Sequence, residues 1–529
     1  MLRYAVDHVA ARDGKIFIYG WGFVPDGQIE ELILLVHMEG GEQYGFPANY
    51  GERRNDVQQK YISDSEALNS GFSVYTEVNK KKITRLTLRW RVNSGEEFIT
   101  NISFTQVLSG KDRLNRLAHY WILGKKTVIL LKNSGLKAVW NKINIYNKGR
   151  PTPITSRNWA LLVSKFSGKP LILVIDHELG GGANIYRRRY INGQTSQSSN
   201  VLLFGFHVAS LQIFIEFYDG DTLGRYSIPS LEVFTHLIGH FEIARVVYNG
   251  LSSFPHPLEV VKMITALRNR VYCPLQVLVH DYLPICPSHF LINQKGIFCG
   301  VPDKRQCEPC LKGHTDGFVA VSGIRDIGTW RTAWSGLLEV ADEVTMFSDA
   351  SNKLLARAYP EVDKRNWQIV PHQLHTRYPK ISIPYKPSLH IGVVGLIGRH
   401  KGARIISDLA NEILQQNSDA KVTVIGTLEA RVPRQVVEVT GPYKPTELSE
   451  MIQSSGANVF LFPSIWPETF SFVAHELVSM NVLLACFDYG AQADLVRKYE
   501  RGLILSSQKP SDILRDLENF WINQTQAAA

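Results

Sequence analysis

Two carboxylates stand eight positions apart in "PSIWPETFSFVAHE", Glu468 and Glu476, behind the apolar run "NVFLF" and with aromatic residues between them. A helix beginning near Phe470, rising about 1.5 Å per residue, would hold these acids about 12 Å apart, one before its N-terminus and one two turns in. That separation resembles the span from sugar to ribose in a nucleotide sugar, with the positive end of the helix near the diphosphate between them. Upstream, "VVGLIGRHKGARII" turns from strand to helix through Gly395, Gly398 and Gly402 and carries Arg399 and Lys401. Two cations at a helix start can neutralise a diphosphate leaving group as its charge develops, although surface Arg and Lys are also common on solvated faces.

Three further groups of residues invite a chemical reading. In "DHELGGGANIYRRRY", Gly180, Gly181 and Gly182 open toward a helix, so backbone amides can approach a phosphate or a carbohydrate oxygen. Asn184, one step into that helix, either contacts the ligand or caps. His280 ends the apolar run "LQVLVH". At the carboxyl end of a parallel strand it either hydrogen-bonds a sugar hydroxyl and shares a proton, or packs structurally. Cys286, Cys299, Cys307 and Cys310 fall within 25 positions in "CPSHFLINQKGIFCGVPDKRQCEPC". They are either four thiolates closing a tetrahedral structural zinc, with one CxxC knuckle, or buried unliganded thiols.

Larger elements must position these residues. A chain of 529 residues exceeds what one core organises, so two large domains, or two and a smaller one, are expected. From residue 1 to 105, short alternating runs such as "KIFIYGWGF" and "ITRLTLRW" predict a small β-sandwich. Within it "ANYGERRNDVQQKY" carries Arg53, Arg54 and Asp56, either an internal ion-pair corner or a binding edge. Residues 106–168 form a basic connector with helical apolar spacing. Between Thr105 and Pro170 thirteen Lys or Arg face one acid, Asp112, so the net charge of +9 is local. Such amphipathic helices suit an anionic bilayer surface or pack as solvated faces, and no nucleic-acid motif accompanies the charge.

From Lys169 the period changes. "LILVID", "VLLFGF", "RVVYNG" and "LQVLVHD" read as apolar parallel strands alternating with helices, and the alternation restarts with "HIGVVGLIG" and "KVTVIGT". Residues 169–386 and 387–529 are therefore read as two doubly wound α/β domains, with a ligand cleft between the carboxyl ends of their strands. No run approaches a membrane span and the N-terminus lacks a signal-peptide core, so a cytoplasmic protein is expected.

Together "VVGLIGRHKG", "VIGT" ending at Thr427, "VTGPYKPTELSEMI" and "NVFLFPSIWPETFSFVAHELVSMNVLLACFDYGAQADLV" resemble the retaining glycosyltransferases of family 4, over roughly Pro170 to Ser507. "DHELGGGAN" and "HDYLPICPSHFLINQKGIFCGVPD" look like the bacterial branch that builds surface polysaccharide such as O-antigen. The resemblance implies a GT-B fold preceded by an accessory β-domain. It implies a nucleoside-diphosphate-sugar donor bound in part by Thr427, with Glu476 on the ribose and Glu468 beside the sugar. Amides near Phe470 and Ser471 would meet the sugar or diphosphate. It also implies Lys401 on the diphosphate and His280 on the donor side. The arginine usual about five residues before that lysine is replaced by Leu396, with Arg399 across the turn, and Ser471 stands where the family has glycine. No DxD is found in the expected place, so no catalytic metal is expected. The acceptor implied is a lipid-linked glycan met at the inner face of the cytoplasmic membrane. Rival readings are a nucleotide-sugar epimerase of the same fold and a non-catalytic glycan-binding scaffold.

Overall fold

A computed structural model describes residues 1–12, 15–52, 54–78, 83–102, 149–154, 156–208, 210–254, 256–271, 273–314, 319, 324–374, 376–383 and 387–526. Most of the basic connector, and the side chains of Arg53 and Asp56, lie outside the described residues. The chain gathers into two compact units. One holds the N-terminal strands with Gly149–Leu171 and Thr195–Ala244, and the other holds Ile172–Gln194 and the residues from Arg245 onward.

In the first unit, β1 (Arg3–Arg12), β2 (Lys15–Phe23), β5 (Asn49–Glu52) and β6 (Gly71–Glu77) make an antiparallel sheet in the order β1-β2-β6-β5. A second sheet takes β3 (Ile29–Met38), β4 (Gln43–Pro47), β7 (Ile83–Val92) and β8 (Glu97–Ile102) in the order β4-β3-β7-β8. Period-two alternation explains the pairing: Leu32, Leu34, Val36 and Met38 of β3 and Leu86, Leu88, Trp90 and Val92 of β7 are all buried on one core. Phe72 meets Trp90 edge-on at 5.2 Å, and the Trp90 indole donates to Thr100 Oγ1 at 3.0 Å, which satisfies a buried donor. At the corner singled out in the sequence, Arg54 pairs with Asp7 at 2.7 Å, the internal ion-pair reading.

The same unit departs from one expectation. Val201–Phe206 reads as a parallel strand, yet β11 (Asn200–His207) pairs antiparallel with β12 (Gln212–Asp219), which pairs antiparallel with β13 (Asp221–Ile228). A short β9 (Thr152–Pro153) lies parallel beside β13. An apolar run buried on both faces looks alike in either sense, and what decides it here is the short connection from His207 to Gln212, in which Leu211 takes φ +52°. The stretch expected as one domain over 169–386 is accordingly divided between the two units.

In the second unit, β10 (Leu171–Asp176), β14 (Ile243–Tyr248), β15 (Leu275–Leu278), β16 (Glu343–Met346) and β17 (Trp367–Ile369) follow the order β17-β16-β15-β14-β10, with the β14 to β17 pairs parallel. Six more strands, β18 (His390–Ile397), β19 (Lys421–Leu428), β20 (Val437–Val439), β21 (Val459–Phe462), β22 (Leu484–Phe487) and β23 (Gly502–Leu505), form a wholly parallel sheet ordered β20-β19-β18-β21-β22-β23. Successive residues feed opposite faces of that sheet. Ile391, Val393, Val422 and Val424 pack with Ile406, Leu409 and Leu517 from the helices Ala403–Gln415 and Pro510–Gln526. Val394, Ile425, Phe460 and Phe462 pack with Ile452, Leu477 and Val496 from helices on the other side. Covering both faces explains why these strands are apolar throughout. It also leaves only the strand ends open to a ligand.

Candidate active site

Strand β18 ends at Ile397, and Gly398 opens a single tight turn, Arg399–Lys401, before the helix Ala403–Gln415. Gly402 sits at φ +85°, and a Cβ there would collide with the Pro463 carbonyl oxygen, so only glycine lets this turn lie against the end of β21. The close approach carries Lys401 Nζ to 3.9 Å from Glu468 Oε1. Arg399 is exposed and has no ion-pair partner among the described residues. Leu396, where the sequence resemblance would place an arginine, is 66% exposed. Of the two cations only Lys401 is turned to the carboxylate.

Glu468 is 5% exposed. Burial pushes its pKa up, and the Lys401 ammonium with the Ser471 and Ser464 hydroxyls opposes that rise. The helix expected near Phe470 begins two residues later, at Phe472, because Ser471 caps it: its Oγ accepts from the Ala474 amide at 3.3 Å. The serine standing where the sequence resemblance would place glycine thus serves the helix start and the acid together. Glu476 lies one turn in, its carboxyl pushed up by burial with Tyr378 opposing. Phe470 stacks on His475 at 4.2 Å. Thr427, next to last in β19, has a buried hydroxyl oxygen with no partner among the described residues.

Asp176 closes β10, and the glycine turn follows, with Gly180 and Gly181 at φ +84° and +81°. A Cβ on Gly182 would stand 3.1 Å from the Phe472 ring, so this turn reaches the start of the helix Phe472–Ser479. Asn184 is committed to its own loop. Its Nδ2 donates to Asp176 Oδ2 and the His177 carbonyl, both at 2.7 Å, and its Oδ1 accepts from the Gly180 amide at 2.6 Å. The capping role is the one the geometry supplies. Arg187 pairs with the fully buried Asp176 at 3.0 Å and steadies the same loop.

His280 stands two residues beyond β15. Thr469 Oγ1 donates to its carbonyl at 2.8 Å, joining it to the stretch that carries Glu468. Its ring stacks on Phe347 at 4.5 Å, lies parallel to His372 at 5.5 Å and meets Tyr186 at 5.0 Å. Its Nε2 is 3.0 Å from Asn249 Oδ1, while Asn249 Nδ2 donates to the Ala183 carbonyl at 3.1 Å. With that amide nitrogen spent on a carbonyl, Oδ1 must accept. Nε2 therefore carries the proton, and Nδ1 is left as the acceptor. Burial, then the neighbouring His372 and His177, hold the His280 pKa well below the ordinary value, so the ring is neutral.

His280, Glu468, Phe470, Ser471 and the glycine turn thus converge around the start of one helix, with Lys401 beside them. Asn249, His372, Phe347 and Tyr186 join them unannounced. His372 follows β17 just as His280 follows β15, so a strand-end signal was available for it. For Asn249 a similar signal existed, one residue past β14. The four clustered cysteines line a single cavity elsewhere in this unit, but no three of the described ligand-type side chains stand together as metal ligands would.

The fold class is α/β of the GT-B kind, two Rossmann-like portions preceded in the chain by a small antiparallel β region. Residues 376–529 match the family model described as glycosyl transferases group 1. No curated protein matches this sequence. Among solved structures, Anabaena HepE in complex with UDP and glucose aligns over 67% of this chain and 90% of its own, at 13% identity and a TM-score of 0.40. A glycosyltransferase from Rickettsia africae aligns over 67% and 88%, at 12% identity and 0.40. The pneumococcal O-GlcNAc transferase GtfA in complex with UDP and GlcNAc aligns over 61% and 63%, at 11% identity and 0.38.

Proposed function

We propose that this protein is a glycosyltransferase that moves a sugar from a nucleoside-diphosphate donor to a growing cell-surface glycan, lipid-linked and of the O-antigen or capsule kind, with retention at the anomeric carbon. The observation that carries the reading is the Lys401–Glu468 pair at 3.9 Å beside the helix that opens at Phe472, in the portion matched by the group 1 family model. A diphosphate between Lys401 and the helix amides would have its developing charge met without a metal ion. Glu468, desolvated and turned inward, would hold the sugar, Glu476 the ribose. His280, neutral and with Nδ1 free to accept, would orient a sugar hydroxyl rather than exchange charge with it. Among the described residues no helix is long and apolar enough to cross a membrane, so a lipid-linked acceptor would be met at the surface. Most of the basic connector suggested for that contact, up to residue 148, lies outside the described residues.

Calorimetric titration with UDP-, GDP- and dTDP-sugars tests this directly, and one of them should bind the intact protein. Glu476→Gln should weaken donor binding by 10- to 100-fold, since a charge-assisted hydrogen bond contributes about 1.5–3 kcal/mol. Glu468→Gln should retain binding and lose turnover. If no nucleotide sugar binds, the proposal fails. Product formed without any acceptor would make the protein an epimerase, and full function in both variants would make it a scaffold.

A further inference from the structure

Cys286 lies on the loop after His280, Cys299 closes the next loop, and Cys307 and Cys310 sit in the helix Lys304–Gly313. All four line one cavity of about 280 Å³. Two of the sulfurs each face the backbone amide two residues on, Cys286 that of Ser288 and Cys299 that of Val301. The second of these turns runs through Gly300 and Val301 at φ +65° and +56°. A β-branched residue in that region costs roughly 1–2 kcal/mol, so the chain keeps a strained turn at the point where it curls over a sulfur.

The charge balance gives an independent reason to look here. Arg331, on the helix Ile327–Val340, is 9% exposed. Its Nε donates to the Ile285 carbonyl at 3.3 Å, its guanidinium lies beside the Cys307 sulfur, and no carboxylate pairs with it among the described residues. A buried cation needs a neighbouring negative charge. Four neutral thiols supply none, whereas thiolates would.

We propose that Cys286, Cys299, Cys307 and Cys310 bind one structural zinc ion as four thiolates, with Arg331 and the two loop amides offsetting the charge of the cluster. Zn²⁺ displaces four thiol protons to solvent and leaves a centre of net charge −2, which Arg331 reduces by one. The thiols now stand on the cavity walls, and Cys307 donates to the Pro302 carbonyl at 3.7 Å. No three of them stand together as metal ligands would in this arrangement, so the proposal requires their side chains to change staggered rotamer on binding. The consequence reaches the active site. The segment between the first two cysteines carries Phe290, stacked on His400 at 4.2 Å and edge-on to Trp466 at 4.8 Å, and Phe298, edge-on to Tyr489 at 5.4 Å. His400 is the neighbour of Lys401, so a zinc knot would brace the turn that presents that lysine.

The test uses the full chain purified without chelator. Stoichiometric zinc is expected by elemental analysis, and cobalt substitution should give thiolate-to-cobalt charge-transfer absorption. Cys299→Ser and Cys310→Ser should each lose the metal, whereas Cys273→Ser and Cys486→Ser, at buried cysteines outside the cavity, should keep it. In the unsubstituted protein, alkylation of the four clustered thiols should be slow until a zinc chelator is added, a readout that does not depend on any variant folding. Absent zinc with no thiolate absorption on cobalt titration, or alkylation rates indifferent to chelator, would overturn the proposal. None of these measurements involves glycosyl transfer, so the outcome stands apart from the function proposed above.

Discussion

Replacing Asn249 by Asp probes the hydrogen bond that sets the state of His280. Asn249 is 1% exposed, and it donates to Ala183 at 3.1 Å while accepting from His280 Nε2 at 3.0 Å. In Asn249→Asp the donor to Ala183 is gone and a carboxylate faces the imidazole. A pair of opposite charges about 4 Å apart at an effective dielectric of 20 interacts by about 4 kcal/mol, or roughly three pKa units at 1.4 kcal/mol each. The His280 pKa should therefore rise from well below 6.5 into or above the neutral range, and the acid limb of the kcat/KM profile should move with it. Asn249→Ala removes both hydrogen bonds without adding charge, so it should leave the pKa low, release the tautomer and destabilise the fold by about 1–3 kcal/mol. Nitrogen-15 spectra of histidine-labelled protein, with the His280 signals assigned from His280→Asn, report tautomer and pKa together. An unchanged His280 pKa in Asn249→Asp, or Nδ1 protonated in the parent protein, would refute the reasoning.

Two more results are expected. Gly402→Ala should cost at least about 3 kcal/mol, because a left-handed residue must also displace the Pro463 carbonyl, and it should raise the donor KM by shifting the Lys401 turn. Denaturation curves and donor titration read both effects, and near-parental values would show that the turn relaxes. The depressed pKa of His280 means that the unfolded chain takes up its proton first as pH falls. The stability it contributes is thus present above the ordinary value of 6.5 and is lost progressively below it, by up to about 1.4 kcal/mol per pH unit. His280→Asn should flatten that dependence between about pH 7 and pH 5.5, as measured by urea denaturation at both values.

What could be read without coordinates was whatever depends on local periodicity and residue type. Alternation made the N-terminal strands legible, and the apolar runs from "HIGVVGLIG" to "VLLACFD" announced a sheet buried on both faces. The glycine turn, the strand-end histidine and the two acids were visible because each is a short motif whose chemistry follows from neighbours in the chain. Strand direction was not: Val201–Phe206 has the same composition whichever way its partner runs, and the short connection from His207 to Gln212 that decides it lies outside the run and carries no Asn-Gly or Asp-Gly signal. Ser471 was legible as a departure from glycine but not as a cap, since capping depends on where the helix begins.

The sequence by itself determined which residues could do chemistry here: a pair of acids, a lysine at a glycine turn, a histidine and a nest of thiols. Only the tertiary structure decided which of them meet. It turned Lys401 rather than Arg399 to Glu468, spent Asn184 on its own loop and placed Asn249 against His280. It also set a buried arginine beside the cysteines. Apart from the local Asn184 loop, those choices rest on contacts between residues far apart in the chain, where distance and burial set charge and hydrogen-bonding state, and neither quantity is written in a residue's near neighbours.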